Sequence, residues 1–79
     1  MITLSILSPE KELFSGDVKQ VVLPGTKGRF TILKDHAAII SSLQAGVVTY
    51  LTSDDVEHTL EIDEGFVEAN KNNISVCIS

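Results

Sequence analysis

The chain has 79 residues, with six Lys and Arg against eleven Asp and Glu, a formal net charge of −5. That balance excludes a general binder of nucleic-acid backbones, whose affinity comes from clustered cations, and the length allows one core worth roughly 3–5 kcal/mol, so a permanent partner would help hold it. The longest apolar run, Ala37-Ala38-Ile39-Ile40, falls far short of the roughly 20 residues a membrane helix needs.

At the amino end Ile2, Leu4 and Ile6 alternate with Thr3 and Ser5, the period of a half-buried strand. The opening MITLSILS has no cationic leader and no cleavage pattern, and Cys77 is the only thiol. A cytoplasmic chain without disulfides is the expectation. Turn chemistry at Ser15-Gly16 precedes the strand-like VKQVVL, and Pro24-Gly25 suits the centre of a type II turn before GRFTIL. In KDHAAIISSLQAG, local rules admit a short helix, with Asp35 as N-cap, Ala37, Ile40 and Leu43 at helical spacing and Gly46 as the stop.

Further β-rich runs follow: GVVTYLT, then HTLEI beyond the turn Ser53-Asp54-Asp55, then GFVEA beyond Glu64-Gly65. After Asn70-Lys71-Asn72-Asn73 the chain closes on Ile74, Val76 and Ile78, alternating once more. The pattern predicts one all-β domain over residues 1–79, a small flattened β-sandwich or barrel of about eight to ten short strands. Its expected core includes Ile2, Leu4, Val22, Ile32, Val48, Leu60, Phe66 and Val76.

Charge is uneven along the chain. Residues 1–53 sum to +1 and residues 54–79 to −6, so Lys27 and Arg29, in LPGTKGRF, lie in the only mildly basic half. GTKG has the form of a G-x-x-G nucleotide clamp, but that clamp lies between helices whereas strands flank this one. The phosphate-loop spacing is absent, and no helix starts after Gly28 to aim amides at an anion. What remains is a stiff, exposed loop presenting two cations.

No nucleophile has a base at a telling spacing, and His36, His58 and scattered carboxylates do not make a metal set. Asp54, Asp55 and Glu57 read as a solvated hairpin tip. Neither a catalytic residue, a cofactor nor a metal is expected. One alternative from another class is a lipoyl- or biotinyl-type carrier domain with Lys71 as the modified lysine, although the Met-Lys-Met or Asp-Lys tip of such domains is missing.

Several pieces in fixed order resemble the epsilon subunit of bacterial F-type ATP synthases: Ser8-Pro9 with Phe14-Ser15-Gly16, then Pro24-Gly25 and Gly28, His36-Ala37, Leu43 with Gly46, and Gly65-Phe66-Val67-Glu68. The resemblance implies a flattened β-sandwich in which the His36-Ala37 segment is extended, displacing the helix over residues 35–44. It also implies a non-catalytic rotor subunit that couples the gamma subunit to the membrane c ring during proton-driven ATP synthesis, peripheral to the cytoplasmic side of the bacterial inner membrane. By the same resemblance Lys27, Gly28 and Arg29 would face the c ring, and Ser8, His36 and Ser41 would meet gamma. Many relatives are acidic where this chain has Arg29. Relatives usually continue into a helical hairpin that can bind ATP or block hydrolysis; the expectation here is a sandwich-only subunit, without that hairpin and without its switch.

Overall fold

One long strand organises the molecule. In the computed structural model, which describes all 79 residues, β2 (Glu12–Gly25) runs through 14 residues and pairs along one side with β1 (Ile2–Leu7) and then β3 (Gly28–Leu33). Its other side pairs with β5 (Gly46–Thr52) and, at Gly25, with β4 (Ile39–Leu43). β6 (Glu57–Ile62) extends the sheet beyond β5, while β7 (Gly65–Asn70) and β8 (Asn73–Ile78) join β4 to β1. Two layers result, β3-β2-β5-β6 and β1-β8-β7-β4, with β2 shared between them. Principal extents of 27 × 24 × 18 Å give the flattened shape expected. All pairings are antiparallel except β1–β8, which is parallel.

Fifteen apolar residues form the core, and no polar or charged residue is fully buried among them. Of the expected core, Ile2, Leu4, Ile32, Val48 and Val76 are buried, and half-buried Leu60 packs against them. Two assignments need correction. Val22 is only half-buried, because a register shift between Val18 and Gln20 breaks the alternation and turns Val21 and Leu23 inward instead. Phe66 faces solvent: in β7 the inward positions are Val67 and Ala69, so the strand's largest side chain stands outside.

Turns also differ from the reading. Ser15 and Gly16 lie inside β2, opposite Ser5 and Leu4 of β1. Phe14 lies over Gly16, where an added Cβ would meet its Cζ at 3.2 Å. The reversal between β1 and β2 is instead closed by Ser8, whose N–H and hydroxyl both reach the Lys11 carbonyl. Pro24 and Gly25 end β2, and Thr26-Lys27 make the reversal. Pro24 interrupts no pairing there, since the β2–β5 ladder stops at Val22.

No helix forms over residues 35–44. Ile39–Leu43 is extended against β7, and Asp35 has φ 62° with its N–H donated to Asn72 Oδ1 at 3.0 Å. The residue read as an N-cap therefore ties the β3–β4 corner to the β7–β8 hairpin.

Candidate functional site

Thr26 and Lys27 form a two-residue connection between β2 and β3, closed by the pair Gly25↔Gly28. Gly28 has φ 129°, a backbone state that suits glycine. A Cβ on Gly25 would lie 2.8 Å from both the Gly28 carbonyl oxygen and Phe30 Cε1, so that glycine is needed for close approach. The loop is fastened from outside as well. Thr26 N–H donates to the Ser42 carbonyl at 3.1 Å, and Gln44 N–H to the Pro24 carbonyl at 2.9 Å. Lys27, Gly28 and Arg29 are all exposed, and Arg29 reaches back toward the Val47 carbonyl at 3.4 Å. The result is a short, stiff projection that carries two cations, as the sequence indicated.

The other three candidates are spread across the β1-β8-β7-β4 layer rather than gathered at a point. Ser8 lies past the end of β1, beside the row Leu7, Cys77, Phe66 and Ser42. His36 sits at the opposite end, just before β4. Its Nδ1 contacts the Ala37 carbonyl, while its Nε2 is buried without a hydrogen-bond partner. Ser41 lies between them but shares the inward parity of Ile39 and Leu43, with its hydroxyl donated to the Ser42 carbonyl at 3.1 Å.

On the outer side of this layer the sequence reading missed two residues, Ile40 and Phe66, which are 79% and 50% exposed. Phe66 pairs with Ser42, two residues along β4 from Ile40, so the two side chains are diagonal neighbours on one face. Half-buried Leu7 and Cys77 continue the apolar surface along the Phe66 row. Phe66 also lines a shallow depression with Thr26 and Ser42, which places the apolar face directly beside the basic loop. The signal for it was the parity of β7, with Val67 and Ala69 on one side and Phe66 and Glu68 on the other.

The family model described as ATP synthase, Delta/Epsilon chain, beta-sandwich domain matches residues 1–79. The chain belongs to this family. Among its relatives, the ATP synthase epsilon chain of Campylobacter lari is 40% identical over 76 residues, which are 96% of this chain and 58% of that one. The epsilon chain of Chlorobaculum tepidum is 41% identical over 70 residues, 89% of this chain and 80% of that one. This member of the delta/epsilon family thus spans about three fifths of the length of several curated relatives it matches.

Among solved structures, the Euglena gracilis mitochondrial ATP synthase (OSCP/F1/c-ring) contains a chain with the same fold, at a TM-score of 0.92 and 15% identity, over 98% of this chain and 49% of that one. A chain of the Tetrahymena thermophila mitochondrial ATP synthase central stalk/c-ring aligns at a TM-score of 0.83 and 13% identity, over 98% and 62%. None of these matches supports the carrier-domain alternative, although Lys71 does occupy a hairpin tip, with φ 53°.

The acidic tip at residues 53–55 is held by its flanking residues and by β2. Lys19 pairs with Asp55, and the Thr52 hydroxyl reaches both the Asp54 carboxylate and, at 3.0 Å, the Val56 carbonyl. The Thr52 hydroxyl, then backbone amides, hold the Asp54 carboxyl below the usual carboxylate range. A depressed value stabilises the fold above the ordinary carboxylate pKa of about 3.9 and loses that contribution as pH falls through the folded value. Thr52→Val is therefore expected to raise the Asp54 midpoint in a carboxyl NMR titration and to flatten the acid limb of the stability profile. An unmoved midpoint would assign the shift to the amides alone.

Proposed function

We propose that this chain is a non-catalytic central-stalk subunit of an F-type ATP synthase, seated between the gamma subunit and the c ring. It would pass rotation driven by protons from ring to gamma, and it would sit peripherally on the cytoplasmic side of the bacterial inner membrane as part of the complex. The observation that carries this reading is the family match across residues 1–79, with about 40% identity to curated epsilon chains. Residues 1–79 would act as one sandwich domain, with the reaction chemistry left to other subunits.

In this reading gamma covers the outer face of β1-β8-β7-β4, with Ile40 and Phe66 as apolar anchors and Ser8 and His36 near its two ends; Ser41 supports that face from its inner side. Lys27, Gly28 and Arg29 meet the polar loops of the ring, for which the basic loop requires acidic groups or backbone carbonyls. The adjacency of loop and apolar face lets one small body touch both partners at once. Mixing the chain with gamma and with detergent-solubilised c ring, separately and together, tests the reading; failure to bind either partner would refute it.

Charge reversal separates the two contacts. Lys27→Glu with Arg29→Glu is expected to weaken ring docking by about tenfold, to make it less sensitive to salt, and to leave gamma docking within about twofold, because exposed charges are screened and tune association more than packing does. Equal losses at both partners would count against this placement of the loop.

A further inference from the structure

The β3-β2-β5-β6 layer ends on two strands that have no neighbour on their outer sides: β3 pairs only with β2, and β6 only with β5. Their charges are opposite. β3 carries Arg29, with Lys27 and Lys34 just beyond its two ends and no acid between them, whereas β6 carries Glu57 and Glu61, and no Lys or Arg occurs between residues 35 and 70. Such charges oppose pairing of like edges while leaving unlike edges compatible.

Direction agrees as well, and one register brings opposite charges together. Because β3, β2, β5 and β6 alternate in direction, β6 of one copy set beside β3 of the next continues an antiparallel sheet. Within one molecule Thr31, Val22, Thr49 and Thr59 form a single row. Extending that row sets Thr59 opposite the next copy's Thr31, and then Glu61 opposite its Arg29.

The backbone groups have the required parity. A two-residue connection closes on a hydrogen-bonded pair, here Gly25↔Gly28, so alternation turns the amides and carbonyls of Arg29, Thr31 and Leu33 to the free edge. On β6 the bond from Thr52 N–H to the Val56 carbonyl sets the same alternation, which frees Glu57, Thr59 and Glu61.

We propose that the free chain self-associates head to tail through these two edges, with Arg29 swinging from its own Val47 carbonyl to Glu61 of the neighbouring copy and Thr59 set on Thr31. The contact is heterologous, so association does not stop at a dimer. Since Arg29 and its edge are consumed, a copy bound through this loop elsewhere is unavailable for stacking.

Sedimentation of the purified 79-residue chain tests it. The weight-average mass should rise with concentration in low salt and fall toward the monomer as salt is added. Arg29→Glu and Glu61→Arg, each placing like charges opposite one another, should each raise the apparent dissociation constant by about tenfold or more; the double exchange should recover association. Thr59→Pro, which removes an edge amide without touching charge, should also dissociate the assembly. A monomeric wild-type chain in low salt, single variants that associate like wild type, or a double exchange that stays monomeric would each overturn the proposal.

Discussion

Gly65→Ala is expected to bring the domain to the margin of stability at room temperature. A Cβ at this position would fall inside contact distance of the Cys77 carbonyl oxygen and lie 3.2 Å from Ile78 Cα, so it meets backbone of β8 rather than a side chain that could swing away. β7 and β8 are paired there, Gly65 with Ile78 and Phe66 with Cys77, and relief requires opening that end of the ladder. Overpacking typically costs 1–3 kcal/mol, and a clash against fixed backbone belongs at about 3 kcal/mol or above. Against the roughly 3–5 kcal/mol that a core of this size supplies, little remains. Urea denaturation followed by circular dichroism should show the midpoint collapse toward zero denaturant; a midpoint close to wild type would mean that the β7–β8 end yields easily.

The neighbouring residue should behave in the opposite way. Phe66→Ser combined with Ile40→Ser is expected to lower the denaturation midpoint only modestly and leave the domain folded, because Ile40 is largely and Phe66 half exposed. The same double variant should lose gamma affinity by about a hundredfold, since exposed aromatic and aliphatic anchors in the middle of an interface carry most of its energy. Titration calorimetry with purified gamma reads this directly. Full gamma affinity in the folded double variant would move the interface off this face, while a large loss of stability would mean that Phe66 packs more than its exposure indicates.

Much of the architecture was legible because alternation is a physical requirement of a half-buried strand. Ile2, Leu4 and Ile6, or Ile74 and Val76, can face only one way. Errors arose where something non-local set the phase. In β2 the irregularity near Lys19 shifts the inward face by one residue, and no local preference of VKQVVL encodes it. At GFVEA, alternation was read in the wrong phase, with Phe66 inward, whereas pairing with β4 and β8 fixed Val67 and Ala69 inward.

The basic loop was readable because exposed cations flanked by glycines leave few alternatives, although its turn moved from Pro24-Gly25 to Thr26-Lys27. Ser8, His36 and Ser41 could not be ranked from sequence, since small polar residues serve turns as readily as partners. Ser8 indeed closes a turn on Lys11, and Ser41 points inward. An apolar face for a partner is legible only once strand parity is known.

The parallel β1–β8 pairing has a mechanical consequence. Five residue pairs, from Thr3↔Asn73 to Leu7↔Cys77, join the first and last strands side by side and in the same direction. Traction between residues 1 and 79 therefore draws the two strands past each other lengthwise, and every bond of the ladder resists at the same moment. An antiparallel hairpin pulled at its open end would peel apart one bond at a time. In shear, a domain with a modest folding free energy can still withstand a substantial transient load, which suits the place between gamma and ring proposed above.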